Sequence, residues 1–199
     1  MNFRSTLGFV TDGVDQTFVG DEFYPTTRNG LTFGYIGAQT EAAFDRDDTI
    51  DVRLAGEHTR ENEVGPISFR VDLEVPGEYR ISLALGSAIT DRSSFIEIYD
   101  NNTLRLTLGP LDTLAAEFAD AEGTVWTAAQ WPGSNVAVVC TITSGILKAV
   151  LGNVSGTSTS AIAHLAFSLA APSASVSPSL SPSASASPSA RRPGATPTR

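Results

Sequence analysis

The most regular pattern in the sequence is an alternation of apolar and polar residues across residues 67–75. Every second position there is apolar, at Ile67, Phe69, Val71, Leu73 and Val75. The alternation resumes at Tyr79, after Pro76-Gly77, a pair that favours a turn because proline fixes φ and glycine permits positive φ. The pattern predicts two strands, each with one buried face, paired as an antiparallel hairpin across that turn.

Similar alternation predicts two further hairpins. Residues 95–108 contain two alternating runs around a polar turn at residues 100–102. Residues 136–151 contain two more around a turn at residues 143–145. Pairs of short apolar runs separated by three polar or glycine residues are typical of antiparallel hairpins.

A closing strand and the absence of a long helical period decide the fold class. Residues 161–169 place Leu165, Phe167 and Leu169 on one face of a strand, and the one helix expected is a turn or two at residues 111–118. Short strands separated by turn signals are typical of sandwiches and barrels. We therefore predict an all-β fold, an antiparallel, jelly-roll-like β-sandwich of about 8 to 10 strands.

A change of composition divides the chain just after Leu169. Serine occupies every odd position from Ser173 to Ser189, with proline among the residues between them. Such a segment buries too little apolar surface to offset the entropy of ordering it. We therefore expect residues 1–171 to form the sandwich and residues 172–199 to form an extended, low-complexity tail.

Charge is distributed unevenly between these two parts. All 22 acidic residues and 10 of the 13 Lys and Arg residues lie in residues 1–169, which gives that segment a net charge of −12. Lys148 is the sole lysine, and three arginines in the tail bring the total to −9. Such a domain repels phosphates, so nucleic acid is not expected as a partner. No apolar run approaches the length of about 20 residues that spans a bilayer, so membrane insertion is not expected either.

Residues 69–83 resemble a known family. Phe-Arg-Val-Asp-Leu, Pro-Gly and Glu-Tyr-Arg-Ile-Ser-Leu in this segment are similar to the central motif of galactose-binding-like β-sandwiches, including the accessory modules of some pectin-deacetylating esterases. Asp45-Arg46-Asp47 and Phe33-Gly34-Tyr35 stand where such modules often carry a D-R-(G/D) segment and a G-Y-G-like turn. The resemblance extends over roughly residues 3–169 and implies a sandwich that often binds sugars through loops at one end. The Gly-Asp-Ser nucleophile block of the esterases is missing.

A second resemblance concerns residues 125–132 and the tail. Val-Trp-Thr-Ala-Ala-Gln-Trp-Pro, together with the Ser/Pro/Ala repeats, is similar to stand-alone domains of tailed-phage virion proteins. The resemblance implies a location in the virion after synthesis in a host cytoplasm, since residues 1–4 begin no signal peptide. An extracellular location reached by a non-classical route is the alternative. The expected partners are further copies of the chain or other virion proteins.

Trp126 and Trp131 are the two tryptophans and the first candidates for ligand contact. A spacing of five places them on opposite faces of a straight strand, so we expect the segment to bend, helped by Pro132-Gly133. Exposed indole faces stack well on pyranose rings. Burial in the sandwich end or a subunit contact is the alternative for either residue. Arg46 and Asp47 join the two tryptophans as candidate glycan contacts through hydrogen bonds to hydroxyls.

The acidic segment that begins at Asp45 offers a candidate calcium site. Asp45, Asp47 and Asp51 provide the odd-spaced oxygen ligands that a hard cation such as Ca²⁺ prefers. The segment is not an EF-hand loop, because Ile50 stands where that loop has its turn glycine. A solvated loop with internal Arg–Asp pairs is the alternative. No other cofactor is expected.

The residues available for catalysis form no recognisable set. His58, His164 and Cys140 are the chain's histidines and its sole cysteine, and no Gly-x-Ser-x-Gly motif occurs. Cys140 lies in an alternating apolar run, which indicates a buried strand thiol. We therefore expect a non-catalytic, virion-associated structural or decoration module that assembles through its sandwich and tail, with weak glycan binding. The alternative is a carbohydrate-binding module that recognises cell-surface or extracellular polysaccharide.

Overall fold

The computed structural model describes residues 3–4, 18–19, 22–28, 30–37, 43–45, 54, 56–60, 66–131, 136–152 and 159–170, with only the backbone described at residues 3–4, 18–19, 43–45 and 56–60. These residues form fifteen strands and one short 3-10 helix. In chain order the strands are β1 (Phe3–Arg4), β2 (Phe18–Val19), β3 (Thr26–Arg28), β4 (Leu31–Ile36), β5 (Ala43–Asp45), β6 (Gly56–Arg60), β7 (Ile67–Asp72), β8 (Gly77–Ser87), β9 (Arg92–Asp100), β10 (Thr103–Thr113), β11 (Glu117–Ala119), β12 (Val125–Thr127), β13 (Val138–Ile142), β14 (Ile146–Gly152) and β15 (Ser160–Leu169). The 3-10 helix is Ala128–Gln130.

Two large antiparallel sheets account for most of these strands. The six-stranded sheet has the order β10-β9-β14-β7-β4-β3. The seven-stranded sheet has the order β12-β11-β8-β15-β6-β5, and β13 also pairs with β8. The two shortest strands, β1 and β2, form a separate parallel pair. The prediction of an all-β, antiparallel sandwich is confirmed, but the described residues form fifteen strands instead of about 8 to 10, because strands of two or three residues are too short to show an alternation of their own. The predicted boundary with the tail is not tested, because residues 171–199 lie outside the described residues.

The inward faces of the two sheets form one hydrophobic core. In β7 the alternation is visible directly, since Ile67, Phe69 and Val71 are buried and the residues between them are half-buried. Ile81 in β8 and Leu165 in β15 face them from the other sheet, and both are completely buried. Full burial of such a side chain contributes about 1.5–3 kcal/mol, so the alternation determines which face each strand turns inward.

The hairpin predicted around Pro76-Gly77 is wrong in its pairing. β7 pairs with β4 and β14 in the six-stranded sheet, whereas β8 pairs with β11, β13 and β15 in the other sheet. The chain therefore crosses the core between β7 and β8 instead of folding back alongside itself. Both arrangements bury the same alternate residues, so the pattern alone does not distinguish them.

The same crossing occurs between β13 and β14, so the hairpin predicted around residues 143–145 is also wrong. The two crossings contact each other, because the backbone N–H of Leu73 donates to the carbonyl of Gly145 at 2.8 Å. The hairpin predicted in residues 95–108 is confirmed as β9 and β10, which pair antiparallel.

Two local predictions have opposite outcomes. The short helix expected at residues 111–118 is wrong, because β10 continues to Thr113 and β11 begins at Glu117, with Ala116 at a φ of 64° in the turn between them. The buried strand thiol is confirmed. Cys140 lies in β13 with 5% of its surface exposed, and burial raises the pKa of its thiol.

Candidate functional site

Trp126 is held in place by a buried carboxylate. Its indole Nε1 donates to Oδ2 of Asp120 at 2.6 Å, and Asp120 is only 1% exposed. The other carboxylate oxygen, Oδ1, accepts the backbone N–H groups of Glu122 at 2.9 Å and Thr124 at 3.0 Å. One side chain therefore closes the turn between β11 and β12 and fixes the orientation of the indole ring.

The Trp126 ring is not part of either hydrophobic cluster in the described residues. It is half-buried, and Val125 and Thr127 on either side of it are exposed. In register it lies opposite Phe118 of β11, so it is on the same outer face of the seven-stranded sheet as Phe118. An oriented, half-open indole of this kind can stack on the apolar face of a ring-shaped ligand.

Trp131 has a different environment. Its ring packs edge-to-face on Phe118, with ring centroids 6.3 Å apart. The two rings belong to a second cluster on the outer face of the seven-stranded sheet that includes Leu54, Ala84 and Ala163. The 3-10 helix Ala128–Gln130 provides the expected bend and brings both tryptophans beside Phe118. Trp131 thus covers the sheet, while Trp126 stands at its edge.

The structure places Asp45 far from the tryptophans. Asp45 ends β5, at the opposite edge of the sheet from β12. Five interstrand steps of about 4.8 Å place these edges about 24 Å apart. Arg46, Asp47 and Asp51 lie outside the described residues, so their predicted roles in glycan or calcium binding stay predictions. Within the described part of the chain no group of three His, Cys, Asp or Glu residues is placed to hold a metal ion.

A second group of side chains, which the sequence analysis did not select, lies on the outer face of the six-stranded sheet. Lys148 of β14 is in register with Tyr99 of β9 on one side and with Arg70 of β7 on the other. The Lys148 Nζ lies 4.7 Å from the centre of the Tyr99 ring, and the Arg70 Cζ lies 4.4 Å from the centre of the Tyr24 ring. We call Tyr24, Arg70, Lys148 and Tyr99 the tyrosine–cation row.

Tyr24 reaches this row because of a glycine in β4. Gly34 is in register with Arg70 and has a φ of +143°. A Cβ at this position would lie 2.4 Å from the backbone C of Phe23 and the backbone N of Tyr24. The backbone at Phe23 and Tyr24 therefore packs directly on β4, which a side chain at position 34 would prevent.

The two carboxylates beside the row are already engaged. Asp72 accepts hydrogen bonds from the Tyr24 hydroxyl at 2.9 Å and from Arg70 Nε at 2.7 Å, and Glu97 accepts from the Tyr99 hydroxyl at 2.6 Å. The hydrogen bond to Asp72 raises the pKa of Tyr24, and the one to Glu97 raises the pKa of Tyr99. Lys148 has no ion pair within the described residues. Its ammonium group and the Nη atoms of Arg70 therefore retain donors for a ligand.

One sequence signal points to this row. Lys148 is the sole lysine of the chain, and it occupies a polar position of an otherwise apolar strand, β14. The other three members are 49 or more residues from it. Only the sheet order brings them together.

Comparison with known proteins gives limited similarity. No protein-family model matches the chain, and no curated protein matches its sequence. Among solved structures, the chain is similar to TmCBM61, a carbohydrate-binding module solved in complex with beta-1,4-galactotriose. The alignment has 10% sequence identity and a TM-score of 0.38, and it covers 75% of this chain and 92% of that chain. Similarity at this level assigns no ligand to this chain.

Among the described residues, no helix has the length and apolar character needed to cross a membrane.

Proposed function

We propose that this chain is a non-catalytic carbohydrate-binding module and that Trp126 stacks on a sugar ring of the ligand. The observation that carries the proposal is the hydrogen bond between Trp126 and Asp120, which fixes a half-exposed indole that packs in neither hydrophobic cluster. A pyranose ring has an apolar face of C–H groups, and an aromatic ring with a fixed orientation is a good surface for it.

Fixing the ring before the ligand arrives matters for affinity. Ordering a mobile side chain on binding costs about 0.5–1.5 kcal/mol, and this cost is absent where the side chain is already held. Near Trp126, the Thr127 hydroxyl donates to Oε1 of Gln130 at 2.9 Å. This contact leaves the amide N–H groups of Gln130, an exposed residue, available for the hydroxyls of a sugar.

The burial of His164 and Cys140 also supports a binding role over a catalytic one. His164 lies in β15 and is 2% exposed, so its imidazole is not accessible to a large substrate. Cys140 is likewise buried, and burial raises the pKa of its thiol, which disfavours the thiolate that a nucleophile requires.

The two tryptophans allow a direct experiment. In Trp131→Phe, Trp126 is the only tryptophan, and in Trp126→Phe, Trp131 is the only one. Both variants are titrated with a panel of neutral linear oligosaccharides, including β-1,4-galactotriose, while tryptophan emission is recorded. We expect the emission of Trp131→Phe to change saturably as oligosaccharide is added. A third variant, Trp126→Ala, should bind about tenfold more weakly than the wild-type chain, equivalent to about 1.4 kcal/mol.

Two results would overturn the proposal. One is unchanged affinity in Trp126→Ala together with a flat emission titration of Trp131→Phe. The other is the absence of binding by the wild-type chain to every glycan on a broad array. Trp131→Phe is the matched control, because it removes an indole that packs on Phe118 and leaves the Asp120 contact intact.

A role in virion assembly remains the second prediction from the sequence. It places the chain in the virion or, as the alternative, outside the cell after export by a non-classical route. It predicts a large oligomer in solution, and deletion of the chain after Ala171 would then abolish association without changing the melting temperature. A monomer that binds glycans would instead support the module.

A further inference from the structure

We propose that the tyrosine–cation row is a second carbohydrate-binding surface, which takes a neutral polysaccharide through its hydroxyl groups. It uses none of the residues around Trp126. It also lies on the outer face of the six-stranded sheet, whereas Trp126 lies on the outer face of the seven-stranded sheet, so the two surfaces are on opposite sides of the sandwich.

The position of Lys148 opposite Arg70 is unfavourable for the fold, although Arg70 itself is ion-paired with Asp72 at 2.7 Å. Arg70 and Lys148 lie directly opposite each other on β7 and β14. Like charges in directly opposed positions destabilise a sheet, whereas opposite charges there would stabilise it. Lys148 gains no ion pair within the described residues to offset this, and its contact with the Tyr99 ring is worth about 0.5–1 kcal/mol at an exposed site.

The row offers a ligand a fixed set of polar groups. Stacking on Tyr99 and Tyr24 restrains Lys148 and Arg70 before any ligand binds. The Lys148 ammonium group has no hydrogen-bond acceptor within the described residues, and the Arg70 guanidinium, which also contacts the Tyr24 hydroxyl, has more N–H groups than these contacts use. Glu97 has one carboxylate oxygen beyond the one that Tyr99 occupies. Sugar hydroxyls both donate and accept, so they match a surface that presents donors beside an acceptor.

The balance of charge selects a neutral ligand. Two cations, Arg70 and Lys148, lie beside two carboxylates, Asp72 and Glu97, so the surface carries no net charge. At longer range, the charge of −12 on residues 1–169 repels a polyanion. A polycation would meet Arg70 and Lys148 directly. A neutral polyhydroxylated chain avoids both penalties.

The extent of the row indicates a chain of sugars instead of a single one. It reaches from β9 across β14 and β7 to β4, which is three interstrand steps or about 14 Å. A ligand lying across the strands contacts all four side chains, whereas one sugar ring contacts a part of them. Two surfaces on opposite faces would let one module join two polysaccharide chains or gain affinity from repeated contact.

The sole lysine provides a probe of this surface alone. Brief acetylation of the native chain modifies Lys148 and the N-terminal amine, and mass spectrometry measures each separately. We expect a saturating neutral oligosaccharide to slow acetylation of Lys148 at least threefold and to leave the N-terminal amine unaffected. The protection should persist in Trp126→Ala, which distinguishes the two surfaces.

Calorimetric stoichiometry with a short oligosaccharide completes the test. We expect two sites of wild-type affinity in the wild-type chain, one in Lys148→Met, one in Trp126→Ala and none in the double variant. Arg80→Gln, which removes an exposed cation from β8 in the other sheet, is the control and should retain both sites.

Two results would overturn this second surface while leaving Trp126 in place. One is a single site in the wild-type chain that Lys148→Met does not affect. The other is protection of Lys148 by acidic oligosaccharides alone. Absence of any binding in the wild-type chain would overturn both surfaces.

Discussion

The carboxylate of Asp120 accepts a hydrogen bond from the indole of Trp126, at 2.6 Å between Oδ2 and Nε1. It also accepts two from the backbone of the turn that precedes Trp126. These two roles can be separated by Asp120→Asn. The asparagine Oδ1 can still accept the backbone N–H groups of Glu122 and Thr124, but its amide N–H₂ faces the indole N–H as a second donor. We expect a loss of roughly tenfold in glycan affinity at Trp126 and a red shift of its emission, measured in the Trp131→Phe background.

Asp120→Ala is the comparison for this variant. It removes both sets of contacts from a buried position. We therefore expect it to lose more stability than Asp120→Asn does, about 1–3 kcal/mol in urea unfolding. If Asp120→Asn bound oligosaccharide as tightly as the parent and showed no change in emission, the hydrogen bond would not determine the orientation of the ring.

Asp100 predicts a specific dependence of stability on pH. Its carboxylate accepts hydrogen bonds from Ser144 N at 2.9 Å and from the Thr143 hydroxyl at 2.8 Å, and it pairs with Arg105 at 2.8 Å. The hydrogen bonds from Ser144, followed by those from Arg105 and Thr143, outweigh burial and hold the pKa of Asp100 far below its usual value. The stabilisation is therefore complete above the unfolded-state pKa of about 3.9 and is lost as the pH falls from there toward the folded pKa.

Asp100→Asn isolates this contribution. We expect the variant to be about 2–4 kcal/mol less stable than the wild-type chain at pH 7, because an asparagine amide cannot accept every bond and does not pair with Arg105. Urea unfolding at several pH values should show a constant difference above pH of about 5 and a shrinking difference below about 4. A difference that stayed constant down to pH of about 2.5 would contradict this account.

Much of the fold follows from the alternation of residues, and its limits are physical. Alternation identified β7, β8, β9 and β15 because burial of one face is a local property of each strand. It did not identify the partners of β7, because a short turn can join neighbours in one sheet or strands in opposite sheets. In both cases the same side chains face the core.

The candidate sites show a similar division. Trp126 and Trp131 were selected because tryptophan is rare in this chain and chemically distinctive. Asp120 was not selected, because its role depends on a turn whose geometry the sequence does not specify. Arg70 and Lys148 are 78 positions apart, and only the pairing of β7 with β14 makes them neighbours.

Cys140 predicts protection of the chain's sole thiol. It is 5% exposed in β13, and burial raises the pKa of the thiol, so less thiolate is present at a given pH than in the unfolded chain. We expect a disulfide reagent at pH 8 to label the native chain many times more slowly than the urea-unfolded chain. Labelling of the native chain at the rate of a free thiol would show that β13 opens readily.

The close packing of Phe23 and Tyr24 on Gly34 allows the contribution of Tyr24 to the tyrosine–cation row to be tested. In Gly34→Ala the new Cβ would lie 2.4 Å from the backbone of Phe23 and Tyr24, so that backbone must move away from β4. We expect a loss of roughly 1–3 kcal/mol in stability and loss of oligosaccharide protection at Lys148, because Tyr24 no longer supports Arg70.

Gly30→Ala is the matched control, since Gly30 also has a positive φ, +80°, but nothing lies within 4 Å of its added Cβ. That variant should lose only about 1 kcal/mol and keep the protection, because its cost is backbone strain alone. Equal effects of the two substitutions would mean that backbone strain, and not the contact with Tyr24, explains the glycine at position 34.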